Sequence, residues 1–296
     1  MKKIVSKFGV SIMAVGILGS TGTSIVRADA APGDVIVTLG ENLSIQQKDK
    51  LLDEMKVKEK DVDIVYVNNK EEHKYLGDYI PKSQIGSKAI SSAKITLGEK
   101  NTGLIVETEH VNYITNDMYL NALSTAGVKD AKVYITAPFD VSGTGALTGI
   151  IKAYEVSSGK KIDEEQKKIA NEEMVTTAKL AENKEIGQEK AANFMNQVKQ
   201  DITAEEPKTQ EDMKAIIQKN AKEMEVPLTQ EEQDQLVSLF DKIKGLNINW
   251  EKVNETLGAA KEKWDNFVNS DEGQNIIHSF TAFVKSLWNG FISLFK

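Results

Sequence analysis

The chain has no cysteine. Disulfides, thiolate zinc sites and a cysteine nucleophile are therefore excluded, and cohesion must come from packing. It is almost without arginine as well: Arg27 stands alone, and every other basic residue is lysine. Arginine is the usual residue for bidentate recognition of phosphate and carboxylate. With a net charge of −7, its scarcity makes nucleic acid an unexpected partner. The three histidines, His73, His110 and His278, fall in no H-x-x-x-H or H-E-x-x-H spacing. No metal site and no cofactor is expected from them. Aromatic residues make up only 6% of the chain. Prolines are fewer still, five in all, and those at positions 81, 138, 207 and 227 read as breaks between elements.

Long apolar runs are also scarce. The first is Phe8–Gly19, behind Lys2, Lys3 and Lys7 and ahead of Ala28-Asp29-Ala30. It is shorter than the ~20 residues that cross a bilayer. A basic start, a short apolar run and small residues at the −3 and −1 positions make a secretory signal peptide. Cleavage is expected after Ala30, leaving a chain secreted or associated with the outer side of the cell envelope. No cysteine closes the apolar run, so no lipoprotein anchor is expected.

From Ala31 to Val156 the pattern is mixed. Asp34–Leu39, Val62–Val67, Ile90–Leu97, Leu104–Val111 and Ala131–Thr136 read as strands by their β-branched and apolar content. Glu99–Gly103 has hairpin-turn composition between the third and fourth of them. Ser44 and Thr115 read as caps of helices ending near Met55 and Ala126. These two helices, each followed by a tight turn and a strand, form a weak internal repeat that pairs Leu52 with Leu123 and Val57 with Val128. The expectation is an α+β domain over 31–156, with a mixed sheet and helices on one face. Residues 157–296 read as an all-α domain. Asp163 with Gln166 and Thr229 with Glu232 read as capping boxes. Phe194, Val198 and Ile202 form one apolar stripe, and Trp250–Phe267 carries another. The segment 273–295 is apolar around most of a helical circumference. It could be a core helix, a surface for self-association or for an envelope protein, or a membrane-surface helix. The core helix is the favoured reading; low charge and the acidity of the chain count against the membrane surface.

One segment could carry chemistry. Ser142-Gly143-Thr144-Gly145 and Thr148 follow a strand and open a helix, the setting in which backbone N–H groups hold an anion. No Lys-Ser/Thr pair follows, so it is not a P-loop, and the glycine spacing is one residue too long for the dinucleotide fingerprint. The competing reading is close packing of the helix on the sheet through small residues. Ser91-Ser92-Ala93-Lys94 has S-x-x-K spacing but sits on a strand without the partner motifs of that chemistry. Glu107, Glu109 and His110 alternate along a strand and so do not converge.

Ala137-Pro138-Phe139, Val141–Thr144, Ala146–Ile150 and Lys152–Glu155 resemble the most recognisable block of the YpuA-like secreted proteins of Bacillus-type bacteria. Ile90–Ala93, Ala126–Val128, Leu228-Thr229 and Leu246–Trp250 are similar too. The family's function is unknown. The resemblance implies an exported, envelope-associated protein and transfers no catalytic residue. The expected role is a binding or scaffold protein rather than an enzyme. The alternative is a wall-active or small-ligand enzyme using the segment 142–149. The enzyme reading needs Ser142, Thr144 or Thr148 to face an open cleft with an ionisable group beside it, and fails if the segment is buried against the sheet without a cavity.

Overall fold

The computed structural model describes residues 31–246. The leader, the Trp250–Phe267 stripe, the 273–295 segment and His278 lie outside the described residues. Strand β1 (Val35–Gly40) is buried from Ile36 onward. An apolar run of this kind belongs to a strand covered on both faces. Around it stand β2 (Asp63–Val67), β3 (Ser92–Leu97), β4 (Leu104–Thr108) and β5 (Ala131–Thr136). They form one mixed sheet in the order β2-β1-β3-β5-β4. β1 runs parallel to β2 and β4 parallel to β5, while β3 is antiparallel to both its neighbours. The α+β class with a mixed sheet followed by helices is as expected.

The hairpin expected at Glu99–Gly103 is not made. β5 lies between β3 and β4. The turn residues hold the start of β5 instead: Gly98 N donates to Asp130 O (2.6 Å) and Ala131 N to Gly103 O (3.1 Å). The buried residues of β5 need a strand on each side. The crossover through α4 (Asn116–Thr125) supplies that arrangement. Strand β4 is also shorter than the sequence pattern indicated. It ends at Thr108; Glu109 N still donates to Ile135 O of β5 (2.8 Å), and His110 turns away at a positive φ of 55°.

Ile36, Ile95, Val133 and Val106 are paired in one row across the sheet. They face the main core beneath α4 and α5 (Ala146–Ser158). The principal helices thus lie on one face. The exception is α1 (Ile45–Glu54), whose Leu52, with the adjacent Met55, packs on Val37 and Leu39 of the other face. The repeated units close alike. Val57 N donates to Leu52 O (3.0 Å) and Val128 N to Leu123 O (2.9 Å), after left-handed Lys56 and Gly127. Both crossovers, β1-α1-β2 and β4-α4-β5, step toward the same sheet edge between strands of one direction. Their helices sit on opposite faces, so the crossovers have opposite hands and one is the uncommon left-handed form. The two units are therefore not copies related by a rotation.

Beyond α2 (Asn69–Leu76) and the short α3 (Lys82–Ile85), the second layer is α6 (Glu164–Ala181), α7 (Gly187–Glu205), α8 (Gln210–Glu223) and α9 (Gln230–Gly245). Helix α6 serves two cores. Ala170, Met174, Val175 and Ala178 join the core of the sheet, and Ile169 and Leu180 join that of α7–α9. The Thr229–Glu232 capping box forms, as does one at Thr209 with Asp212. Asp163 caps α6 by accepting from Glu165 N (2.9 Å), but Gln166 does not close a box. Its amide donates to Thr125 O (2.9 Å) near the end of α4, where a helix leaves unsatisfied carbonyls. Among the described residues no helix is long and apolar enough to cross a membrane.

Helix α5 rests on the sheet through Gly149. A Cβ there would stand 2.9 Å from Val67 Cγ2 and 3.2 Å from Thr38 Oγ1. Gly149→Ala gains helix propensity of up to ~1 kcal/mol but overpacks a closed contact. We expect a net loss of about 1–2 kcal/mol in urea unfolding. An unchanged or raised midpoint would show that helix and sheet can separate at no cost.

Candidate functional site

The carboxyl ends of β1, β2, β4 and β5 share one edge of the sheet, and α2, α4 and α5 all begin there. In open sheets with parallel strands this edge is the usual place for a ligand. The chain between β5 and α5 is pinned to that preceding α4: Asn112 N donates to Val141 O (3.0 Å), Ile114 N to Ser142 O (3.1 Å) and Val141 N to His110 O (3.0 Å).

The five residues singled out from the sequence separate into two environments. Gly143, at φ 88°, lies beneath Tyr119. The Tyr119 hydroxyl donates to Gly143 O at 2.5 Å, and burial raises its pKa, so it stays a donor. Ser142 Oγ and Thr144 Oγ1 hydrogen-bond each other across 3.3 Å, and Thr144 is buried. Gly145 lies against Glu72 of α2, and a methyl group on it would collide with the carboxylate. This part of the segment is close-packed.

Thr148 is placed differently. It is 3% exposed, and its Oγ1 has no hydrogen-bond partner. It lines a cleft of about 190 Å³ between α2, α5 and α6. Thr148, Ile151, Lys152 and Glu155 sit at i, i+3, i+4 and i+7 on α5, which puts them on one helical face. Glu71 and Tyr75 of α2 and Lys167 of α6 complete the wall. Lys152 Nζ donates to Glu71 Oε1 (2.6 Å) and Tyr66 O (2.8 Å). Lys167 Nζ donates to Glu155 Oε2 and Glu164 Oε1, both at 2.9 Å. Burial works against the Lys167 ammonium, but the bonds to Glu155 and Glu164 outweigh it and its pKa is raised. Lys74 and Lys167 hold Glu164 down to about 2. The cleft therefore presents fixed charges of both signs, with an unpaired hydroxyl buried in its wall.

Glu72, behind this wall, is 4% exposed. Desolvation, with a smaller push from Glu71, raises its pKa to about 7, against the Asn69 amide that donates to it (2.9 Å). The sequence pattern did not single out Glu71, Glu72, Tyr75, Lys152, Glu155 or Lys167. The i, i+3, i+4, i+7 row from Thr148 was the available signal. Of the other residues weighed, Glu107 pairs with Lys132 (2.9 Å) and His110 Nδ1 lies 3.3 Å from Asp140, both away from the cleft.

A family model described as a protein of unknown function, DUF1002, matches residues 39–260. The chain belongs to the DUF1002 family. The match spans the sheet from the end of β1 onward, the cleft and α6–α9. The uncharacterized protein YpuA of Bacillus subtilis (strain 168) is 48% identical over 291 residues, covering 98% of this chain and 99% of that protein. The likeness to YpuA-like proteins, read most densely from residues 137–155, is thus borne out over nearly the whole chain. No solved structure matches. DUF1002 membership brings no assigned catalytic or ligand-binding residue, so the site rests on the geometry of this chain.

Proposed function

We propose that this DUF1002 protein is exported, remains at the outer side of the cell envelope, and works by binding rather than by covalent catalysis. The leader pattern of residues 1–30 supports export, and a chain without cysteine folds equally well in oxidising surroundings. The observation that carries the binding reading is the cleft walled by Glu71, Lys152, Glu155 and Lys167, with the buried, unpartnered Thr148 hydroxyl in its wall. A nucleophilic hydroxyl is activated by a base bonded to it. None is bonded to Thr148, and the hydroxyls of Ser142 and Thr144 bond each other. A buried hydroxyl left without a partner in the wall of a cleft is instead the kind of group that a bound ligand satisfies. The apolar segment 273–295 supplies the surface for self-association or for an envelope partner in this reading.

Location is the test. The full chain is expressed in a Gram-positive host, and medium, wall and cytosol are separated. The mature protein is expected outside the membrane with Ala31 as its first residue. Intact chain beginning at Met1 in the soluble cytosol would overturn the reading.

A further inference from the structure

The cleft over Thr148 carries enough chemistry to define a ligand class. Its lining charges balance: Lys152 and Lys167 stand against Glu71 and Glu155. A ligand with only one sign of charge would meet a like charge on the wall at close range. An ammonium has three N–H donors. Lys152 uses one on Glu71 and one on Tyr66 O, and Lys167 uses one on Glu155 and one on Glu164. One donor on each lysine remains, and the Thr148 hydroxyl is unpaired. These groups together suit a carboxylate. The carboxylates of Glu71 and Glu155 can each accept further bonds and suit an ammonium. Ile151 offers the cleft its apolar surface. The size is limiting: a cavity of about 150 Å³ holds a benzene-sized molecule, and this one measures about 190 Å³.

Resting on the binding reading above, we infer that the cleft between α2, α5 and α6 binds a small zwitterion of amino-acid size, free or as the end of a short peptide. Its carboxylate is received by Lys152 and Lys167, with the Thr148 hydroxyl turning out of the wall to meet it, and its ammonium by Glu71 and Glu155. An apolar side chain of one or two carbons lies on Ile151.

The test is calorimetric titration of the full chain with alanine, with alanyl-alanine, and with acetate and alaninamide, which each lack one charge. Alanine or alanyl-alanine is expected to bind, and acetate and alaninamide at least about tenfold more weakly. Tighter binding of alanine assigns the free amino acid, and tighter binding of the dipeptide assigns a peptide end. Thr148→Val is expected to weaken binding about five- to tenfold. The half-exposed Lys152→Gln, which leaves the buried wall in place, should do so by at least as much. Equal binding of acetate and alanine, no binding of any probe, or binding indifferent to both substitutions would each overturn the inference. Export is read from location alone and stands or falls separately.

Discussion

Replacing Lys199 by methionine is expected to lower the free energy of unfolding by about 3–5 kcal/mol, the cost of removing one partner from a buried ion pair. Lys199 of α7 and Glu173 of α6 have fully buried side chains, at 0% exposure each, and lie 2.7 Å apart. Lys199 Nζ also donates to Asn121 O (3.1 Å) and Thr125 Oγ1 (3.4 Å) of α4, and the Thr125 hydroxyl donates to Glu173 Oε2 (2.5 Å). Three helices are tied at this point, two from the second layer and one from the sheet. Lys199→Met leaves the Glu173 carboxylate in a dry interior with one hydroxyl for company. In a chain of this size the loss amounts to a fall in melting temperature on the order of 10 °C. The double variant Lys199→Met, Glu173→Leu is expected to recover most of it, since apolar replacement of a whole buried pair is often neutral or stabilising. Thr125 can then turn its hydroxyl to the carbonyl of Asn121, four residues back on the same helix. Urea unfolding of the two single variants and the double variant closes a cycle whose coupling energy reports the pair. Single losses below about 1 kcal/mol would mean that water reaches the site.

The sequence pattern resolved elements far better than their arrangement, and the ion pair shows why. Phe194, Val198 and Ile202 mark the face of α7 that enters the second core. Lys199 sits one residue beyond Val198, and a lysine there looks like the solvated flank of an amphipathic helix. Its burial comes from α4, more than seventy residues earlier in the chain, and no local period reports such a neighbour. Strands β1, β2 and β5 and helices α1 and α4 were legible because apolar periodicity and caps at Ser44 and Thr115 are local signals. The β3–β4 turn misled for the complementary reason. Glu99–Gly103 has the composition of a chain reversal, but composition does not say which strand fills the space beside it. The candidate site divides along the same line. Thr148 belonged to a recognisable segment, whereas the groups around it come from three helices. Glu72, in the polar run Asn68-Asn69-Lys70-Glu71-Glu72, reads as a surface charge until Gly145 is brought against it.

That burial makes Glu72 the source of a pH dependence with a definite sign. Its pKa is raised from 4.5 to about 7 in the folded chain, so folding takes up a proton between these values. Stability contributed by the protonated form is complete below about pH 4.5. It declines as pH rises toward about 7 and is gone above that. A displacement of this size corresponds to about 3 kcal/mol. Glu72→Gln keeps the shape, can still accept from the Asn69 amide, and carries no charge at any pH. The variant is expected to match the parent near pH 4 and to exceed it by about 2–3 kcal/mol at pH 8. Urea unfolding of both proteins at pH 4, 6 and 8 measures the difference, and comparison at equal pH cancels every other titrating group. A difference that stays constant across the three pH values would mean that the Glu72 carboxylate is solvated or already paired in the folded state. Glu72 lies under Gly145 and Thr148 lines the cleft, so the two substitutions report separate properties. Glu72→Gln should move the stability profile and leave zwitterion affinity at pH 8 within about twofold, while Thr148→Val should lower the affinity and leave the slope of stability with pH unchanged.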